Sequence, residues 1–125
     1  MEQKYIIDSN ILIDAEAQEL PLDGMTFLKK IIDEDFIISF VTYIEILGYK
    51  KVTKSAQEFV SLAHVIEINK RIIDECIKIR KSRSIKLPDA IIASTAMANN
   101  YTLVTHNVSD FMGISGLKII DPYNL

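Results

Sequence analysis

The sequence is poor in cysteine, glycine and proline, and it has no long apolar run. A single cysteine, Cys76, cannot form an internal disulfide, which excludes a disulfide-stapled secreted scaffold and a structural zinc site built on cysteines, and fits a reducing cytoplasm. With only 4 glycines and 3 prolines there is no flexible linker, so we expect one domain over residues 1–125. No apolar run approaches the roughly 18 residues that span a bilayer. The polar start, residues 1–4, predicts no export leader.

The overall charge is slightly acidic. Lys and Arg number 14 against 17 Asp and Glu, a formal net charge of −3, and 49% of the residues are hydrophobic. This composition is typical of a small globular domain with one core. It argues against binding nucleic acid by bulk charge, but a local basic patch could still do so.

Short apolar runs alternate with helical periodicity along the chain. The pattern predicts strands over residues 5–7, 36–39, 65–68, 101–105 and 118–120. Helices are predicted over residues 11–19, 25–33, 42–47, 54–62, 70–82 and 88–98, with a loop at 21–24 and a polar turn at 106–110. Asn69 and Thr42 are the expected N-caps of two of these helices. Such alternation implies an α/β fold with a parallel sheet, whose sites form at the carboxyl ends of strands.

Four carboxylates fall where this fold would gather them, each among apolar neighbours: Asp8, Glu45, Asp89 and Asp110. Clustered carboxylates repel one another, and keeping them ionised costs several kcal/mol unless a cation neutralises them. Oxygen ligands without a Cys or His pair favour Mg²⁺ or Mn²⁺ over Zn²⁺. Because such ions can activate a water to attack a phosphodiester, the pattern predicts hydrolysis of a nucleic-acid backbone.

Four motifs carry a family resemblance: Asp8-Ser9-Asn10-Ile11-Leu12, Thr42-Tyr43-Ile44-Glu45, Leu87-Pro88-Asp89-Ala90-Ile91-Ile92-Ala93 and Leu103-Val104-Thr105-His106-Asn107-Val108-Ser109-Asp110-Phe111. In order, spacing and chain length they resemble the PIN-domain ribonucleases, in particular the small VapC-like toxins of type II toxin–antitoxin systems. The resemblance covers residues 5–122. It implies a three-layer α/β/α sandwich around a parallel sheet, Mg²⁺- or Mn²⁺-dependent endoribonuclease activity, an antitoxin partner and a homodimer.

The resemblance also assigns residues by position. The first three acidic ligands match Asp8, Glu45 and Asp89. The last acidic position of the family falls at Asn107 or at Asp110, and Asp110 is the expected carboxylate because Asn107 brings no charge. Polar side chains that would orient the carboxylates or a bound water are Asn10, Thr105 and Asn107.

Simpler interpretations exist for several of these residues. Asp8 could be only a helix N-cap, and Glu45 could close a capping box with Thr42. A carboxylate at the position of Asp89 would be favoured by the helix dipole, and Asp110 could simply form a turn. For two other residues we favour the simpler interpretation: an exposed turn residue rather than a general acid for His106, and a core residue for Cys76.

Two further groups of side chains have two interpretations each. A basic group ahead of Asp89 either tracks an RNA backbone or is the solvated face of a helix, and its half nearer Asp89 is the expected RNA contact: Arg80, Lys81, Arg83 and Lys86. The apolar faces of residues 11–17 and of the next helix either dock an antitoxin or second subunit or belong to the core, and helical spacing favours the core: Met25, Phe27, Leu28, Ile31 and Ile32.

Competing functions remain beside a toxin endoribonuclease. One is an RNA-processing nuclease without an antitoxin, and another is a catalytically weak RNA-binding or interaction module. The intact carboxylates count against the latter. A phosphatase of the Asp-x-Asp type is disfavoured because Asn10 occupies the second position, and a dinucleotide-binding domain is disfavoured because no glycine-rich loop follows the first strand.

Overall fold

The computed structural model describes residues 3–125, so Met1 and Glu2 of the polar start lie outside the described residues. The strands in this range are β1 (Tyr5–Ile7), β2 (Ile37–Ser39), β3 (His64–Ile66), β4 (Thr102–Val104) and β5 (Lys118–Ile120). The helices are α1 (Ser9–Glu16), α2 (Leu22–Glu34), α3 (Phe40–Leu47), α4 (Lys54–Val60), α5 (Lys70–Ser82), α6 (Leu87–Ala98) and α7 (Val108–Phe111). Within residues 3–125, none of these helices has the length and apolar character needed to cross a bilayer.

All the paired strands run parallel, as predicted. Hydrogen bonds join β1 to β4 and β4 to β5, and separately β2 to β3. Because β1 also lies against β2, the spatial order is β3-β2-β1-β4-β5. The strands β2 and β3 therefore lie on one side of β1, and β4 and β5 lie on the other side, so the strand order reverses direction after β3. In open parallel sheets, ligands bind at the carboxyl ends of the strands beside such a reversal point.

Helices cover both faces of the strands, which gives three layers. Ile7 of β1 packs with Ile11 and Leu28 into one core cluster, on the side of α1, α2, α3 and α4. The preceding residue, Ile6, packs with Ala93 into the second cluster, on the side of α5 and α6. Successive strand residues point to opposite faces, so a strand that is apolar at every position is buried on both sides. The predicted three-layer α/β/α sandwich is confirmed.

Residues that were expected in the core are found there. Cys76 is buried as a free thiol in the second cluster. On α2 the apolar face contributes to the first cluster, with Leu28 and Ile31 buried and Met25, Phe27 and Ile32 packed against them.

Two local predictions were wrong because tertiary contacts decide them. Residues 21–24 are not all loop, since α2 begins at Leu22 and includes Gly24. A Cβ at Gly24 would come within 2.3 Å of the Pro122 carbonyl oxygen, so this glycine allows a close approach of the C-terminal segment instead of forming a turn. Similarly, α3 begins before Thr42, because the Ser39 hydroxyl accepts from Val41 N (3.1 Å) and caps the helix.

The polar stretch 106–110 also differs from the expected simple turn. A short helix, α7, begins at Val108 and carries Asp110 in its first turn. The helix brings Phe111 into the second core cluster, where it is buried. Burial of this aromatic side chain provides the free energy that orders the segment.

Candidate functional site

Asp8 follows β1 directly and is the N-cap of α1. Its Oδ1 accepts from Ser9 N (2.8 Å), and its Oδ2 accepts from the Thr105 hydroxyl (2.8 Å) and from Asn10 Nδ2 (2.9 Å). The side chain is buried, and burial raises the pKa of Asp8, against the lowering effect of the hydrogen bonds from Thr105 and Ser9. Capping accounts for only one carboxylate oxygen, and the other oxygen accepts from the side chains of Thr105, after β4, and of Asn10, in the first turn of α1.

Thr105 and Asn10 hold the Asp8 carboxylate from two sides. Thr105 follows β4, and Asp8 N donates to the Val104 oxygen (2.9 Å), which keeps the ends of β1 and β4 together. The fully buried Thr105 hydroxyl also accepts from Asn107 N (3.1 Å). Asn10 donates to Thr105 Oγ1 (3.3 Å). The structure therefore brings both predicted supporting side chains to Asp8, whereas Asn107 contributes its backbone N–H.

Glu45 approaches the same place from α3. Its Oε1 accepts from the Ser9 hydroxyl at 2.5 Å, so α3 and α1 are tied together at the site. No capping box with Thr42 forms, since Thr42 lies inside α3 and its buried Oγ1 has no hydrogen-bond partner among residues 3–125. Sequence reasoning gave no role to Ser9, whose only signal was its place between Asp8 and Asn10.

Asp89 lies in the first turn of α6 and is partly exposed. Burial is the largest cause that raises the pKa of Asp89, followed by the negative charges of Asp8, Asp110 and Glu45. Lys86 acts in the opposite direction. The other three predicted carboxylates are thus close enough to Asp89 to repel it, although Glu45 and Asp110 are exposed rather than enclosed by apolar side chains as expected.

The donor set suits a hard divalent cation. Across residues 3–125, no three His, Cys, Asp or Glu side chains already converge closely enough to form a complete metal-binding group. In the same part of the chain, none of the four carboxylates forms a salt bridge with Lys or Arg. Mg²⁺ commonly uses one or two carboxylates and keeps several waters, so a tight cluster of three is not required. Carboxylate oxygens that form no salt bridge with Lys or Arg therefore fit Mg²⁺ or Mn²⁺.

The basic side chains near the site differ in what they contact. Arg83 donates to the carbonyl oxygens of Met112 (2.5 Å) and Asp110 (3.3 Å), and it joins the α5–α6 loop to the end of α7. Arg80 donates to the Ile85 oxygen (2.9 Å) within that loop. Both arginines thus have structural contacts that sequence reasoning did not anticipate, while Lys81 is exposed in the last turn of α5.

Two grooves flank α1 on the same side of the molecule. One, with a volume of about 490 Å³, lies between α1, α3 and α4 and is lined by Ile13, Tyr49 and Glu45 among others. The other, about 670 Å³, lies between α1, α2 and α4 and includes Met25 and Phe59. Because Glu45 lines the first groove, that groove runs up to the carboxylates.

Comparison with known proteins gives a family match and several solved structures. The family model described as PIN domain matches residues 5–111. A toxin-antitoxin complex from Klebsiella pneumoniae contains a chain with 30% identity and a TM-score of 0.75, covering 98% of this chain and 100% of that one.

Two further solved structures are similar in fold. In VapBC2 from Rickettsia felis bound to a promoter DNA fragment, the matching chain has 24% identity and a TM-score of 0.78, covering 95% of this chain and 98% of that one. In DNA-bound VapBC from Salmonella typhimurium the values are 19% and 0.76, covering 97% of this chain and 99% of that one. No curated protein sequence gives a significant match.

Proposed function

The chain belongs to the PIN-domain family, and from that membership we propose that it is an Mg²⁺- or Mn²⁺-dependent endoribonuclease, the toxin of a type II toxin–antitoxin pair in the cytoplasm. One observation carries the nuclease part of the proposal. Burial and then the negative charges of Asp8, Asp110 and Glu45 raise the pKa of Asp89, and none of the four carboxylates has a Lys or Arg in salt-bridge contact among residues 3–125. Such a site is unfavourable alone and favourable with a divalent cation.

The residues of the site would have three different roles: binding the cation, orienting the carboxylates and contacting RNA. Asp8, Glu45, Asp89 and Asp110 would hold one or two cations, which when bound activate water and neutralise charge on the phosphate. Thr105, Asn10 and the Ser9 hydroxyl fix the orientation of Asp8 and Glu45. Asp89 is partly exposed and Asp110 fully, so an RNA backbone can reach them, and Lys86, whose charge acts on Asp89, would meet its phosphates together with the exposed Lys81.

Cleavage of a mixed RNA substrate with Mg²⁺, Mn²⁺ or EDTA tests the nuclease. We expect cutting that requires the cation and is lost in the double variant Asp8→Asn/Asp89→Asn. A matched control, Asp33→Asn/Asp74→Asn, changes two exposed carboxylates on α2 and α5 that are not among the four site residues, and it should cut normally. If the folded wild-type protein neither cuts RNA nor binds a divalent cation, the proposal is wrong.

An antitoxin partner is supported by the grooves beside α1 and by the 30% identical chain, which comes from a toxin-antitoxin complex. Ile13 and Tyr49 line the groove that reaches Glu45, and their side chains are 57% and 62% exposed. An amphipathic antitoxin segment would cover them. Expression of the chain should arrest growth, and co-expression of the neighbouring gene should relieve the arrest. Ile13→Arg should abolish this relief while RNA cleavage is retained.

A homodimer completes the proposal. Ile73 and Ile77 lie one turn apart on α5 and remain 41% and 48% exposed, which is unusual for two large apolar side chains on one helix face. A second copy of the chain would bury them. Light scattering should give the mass of a dimer for the wild type and of a monomer for Ile77→Glu.

A further inference from the structure

The C-terminal segment 121–124 lies beyond the residues that match the family, 5–111, and yet it contacts the loop that carries part of the site. The Asp121 carboxylate lies 3.1 Å from His106 Nδ1 through each of its oxygens. The Tyr123 ring stacks on the His106 ring, with 3.9 Å between centroids. The imidazole is therefore fixed at one edge and on one face, although the residue is exposed.

The segment itself is anchored to the rest of the fold. Tyr123 donates its hydroxyl hydrogen to Asp14 Oδ2 of α1 at 2.7 Å. Asp121 accepts from Tyr123 N (3.0 Å) and from Asn124 Nδ2 (2.8 Å), so its carboxylate is held in one orientation. Pro122 is buried against Gly24 of α2. An element attached to two helices can hold a loop in place.

A continuous set of hydrogen bonds leads from this anchor to the candidate metal ligands. The backbone N–H of His106 donates to Asn10 Oδ1 (3.1 Å), and Asn10 Nδ2 donates to Asp8 Oδ2 (2.9 Å). The amide of Asn10 can present its NH₂ group to Asp8 only while its oxygen faces His106 N. The position of the His106 backbone thus determines how Asn10 supports Asp8.

We propose that Asp121 and Tyr123 are positioning residues of the site, which clamp the His106 side chain so that its backbone N–H orients Asn10 and, through it, Asp8. The inference rests on the proposed nuclease function for its consequence on catalysis. In this role the imidazole neither exchanges a proton with RNA nor touches it. Through its contacts with Asp121 and Tyr123, the His106 ring connects the C-terminal segment to the loop after β4 and keeps that loop in place.

A set of variants separates this role from two others. Asp121→Ala and His106→Ala should each lower kcat by about 10- to 100-fold, the usual effect of losing a partner that orients a ligand, and should leave KM unchanged. Because both remove the same link, the double variant should lose no more than either single one. Tyr123→Phe keeps the stacking but loses the hydrogen bond to Asp14, so it should lower kcat less than Tyr123→Ala, which loses both contacts. Leu125→Ala, on an exposed neighbour, is the matched control.

The kinetic outcomes are distinguishable. A loss in His106→Ala that far exceeds the loss in Asp121→Ala would mean that the ring itself acts on RNA, and additive losses would mean that the two residues act independently. Either result overturns the proposal. If Asp121→Ala fails to fold, Tyr123→Ala, which removes the ring contact with His106, takes its place in the comparison with His106→Ala.

A second readout does not depend on activity. Amide hydrogen exchange of His106 N–H, followed by NMR, should be slow in the wild type and in Leu125→Ala and at least about tenfold faster in Asp121→Ala and Tyr123→Ala. Unchanged protection in the last two overturns the proposal. If the wild type cuts no RNA but the exchange rates change as expected, the nuclease function is wrong while the clamp is supported.

Discussion

Replacement of Thr105 by valine tests the support of Asp8 most directly. Thr105 is fully buried, and valine has nearly the same shape, so the change removes the hydroxyl without opening a cavity. Lost with it are the bond that the hydroxyl donates to Asp8 Oδ2 (2.8 Å) and the bond that it accepts from Asn107 N (3.1 Å). The longer bond from Asn10 Nδ2 (3.3 Å) is lost too, but this group keeps its bond to Asp8. Thr105→Ser is the matched control, because it keeps the hydroxyl and loses only a methyl group.

The expected loss of stability follows from these contacts. A hydrogen bond to a charged acceptor contributes about 1.5–3 kcal/mol and a neutral one about 0.5–1.5 kcal/mol. Asn107 is exposed, so water can replace its partner, and the total for Thr105→Val should be about 2–3 kcal/mol near neutral pH. Thr105→Ser should cost about 0.8 kcal/mol for one buried methyl group. Urea unfolding with an unchanged m-value measures both.

The difference between the two variants should depend on pH. Burial raises the pKa of Asp8 above its ordinary value of 3.8, so the stability contributed by the protonated form is complete below that value and is lost as pH rises through the folded-state pKa. The Thr105 hydrogen bond is the strongest influence that lowers this pKa. Its removal therefore costs more at neutral pH than in mild acid. A Thr105→Val loss no larger than that of Thr105→Ser at neutral pH would refute the reasoning.

Three other changes have definite expected outcomes. Without metal, Asp89→Asn should raise the free energy of unfolding by less than about 1 kcal/mol, because burial and repulsion disfavour the ionised form of Asp89 but the side chain is partly exposed. The variant should also lose most of the stabilisation that Mg²⁺ gives the wild type in differential scanning fluorimetry. Equal stabilisation by Mg²⁺ would contradict the role of Asp89 as a ligand. Gly24→Ala should cost about 1–3 kcal/mol in urea unfolding, because the new Cβ would lie 2.3 Å from the Pro122 oxygen. Arg83→Ala should lower the thermal midpoint, because it loses the hydrogen bonds to the Met112 and Asp110 oxygens. Lys81→Ala should leave the midpoint unchanged and raise KM for RNA. If instead Arg83→Ala raises KM and leaves the midpoint unchanged, Arg83 contacts RNA and has no structural role.

The parts of the fold that follow from periodicity were predictable from the sequence. Apolar runs at residues 5–7 and 118–120 gave the strands, and the apolar stretch after Pro88 gave the buried helix α6. The place of Asp8 after a strand and of Asp89 at the start of the buried helix predicted that the two lie near each other, because sites in such folds form at the carboxyl ends of the strands, and the charge of Asp8 does act on Asp89. These features depend on the residue types within one short stretch of the sequence.

Features set by contacts between distant residues were not predictable. Ser39 and Thr42 are both good N-caps, and the choice between them depends on where β2 ends, at Ser39. Gly24 resembles a loop residue until Pro122 is placed beside it. Asp121 and Tyr123 form no motif with His106 in the sequence, and only the closing of the fold brings them together.

The choice of partners for the carboxylates explains how the site can be both ordered and dependent on a cation. Asp8 is held by a hydroxyl, an amide and a backbone N–H, and Glu45 by a hydroxyl, all of which are neutral. Neutral donors fix geometry without cancelling charge. A lysine in the same place would stabilise the folded chain but would occupy the position of the cation. Although Lys86 offsets part of the negative charge at Asp89, repulsion among the carboxylates destabilises the metal-free fold, and a divalent cation that binds only the folded state stabilises it. Variants that weaken cation binding by removing a carboxylate should therefore stabilise the metal-free protein, whereas variants that remove a neutral donor should weaken both binding and folding.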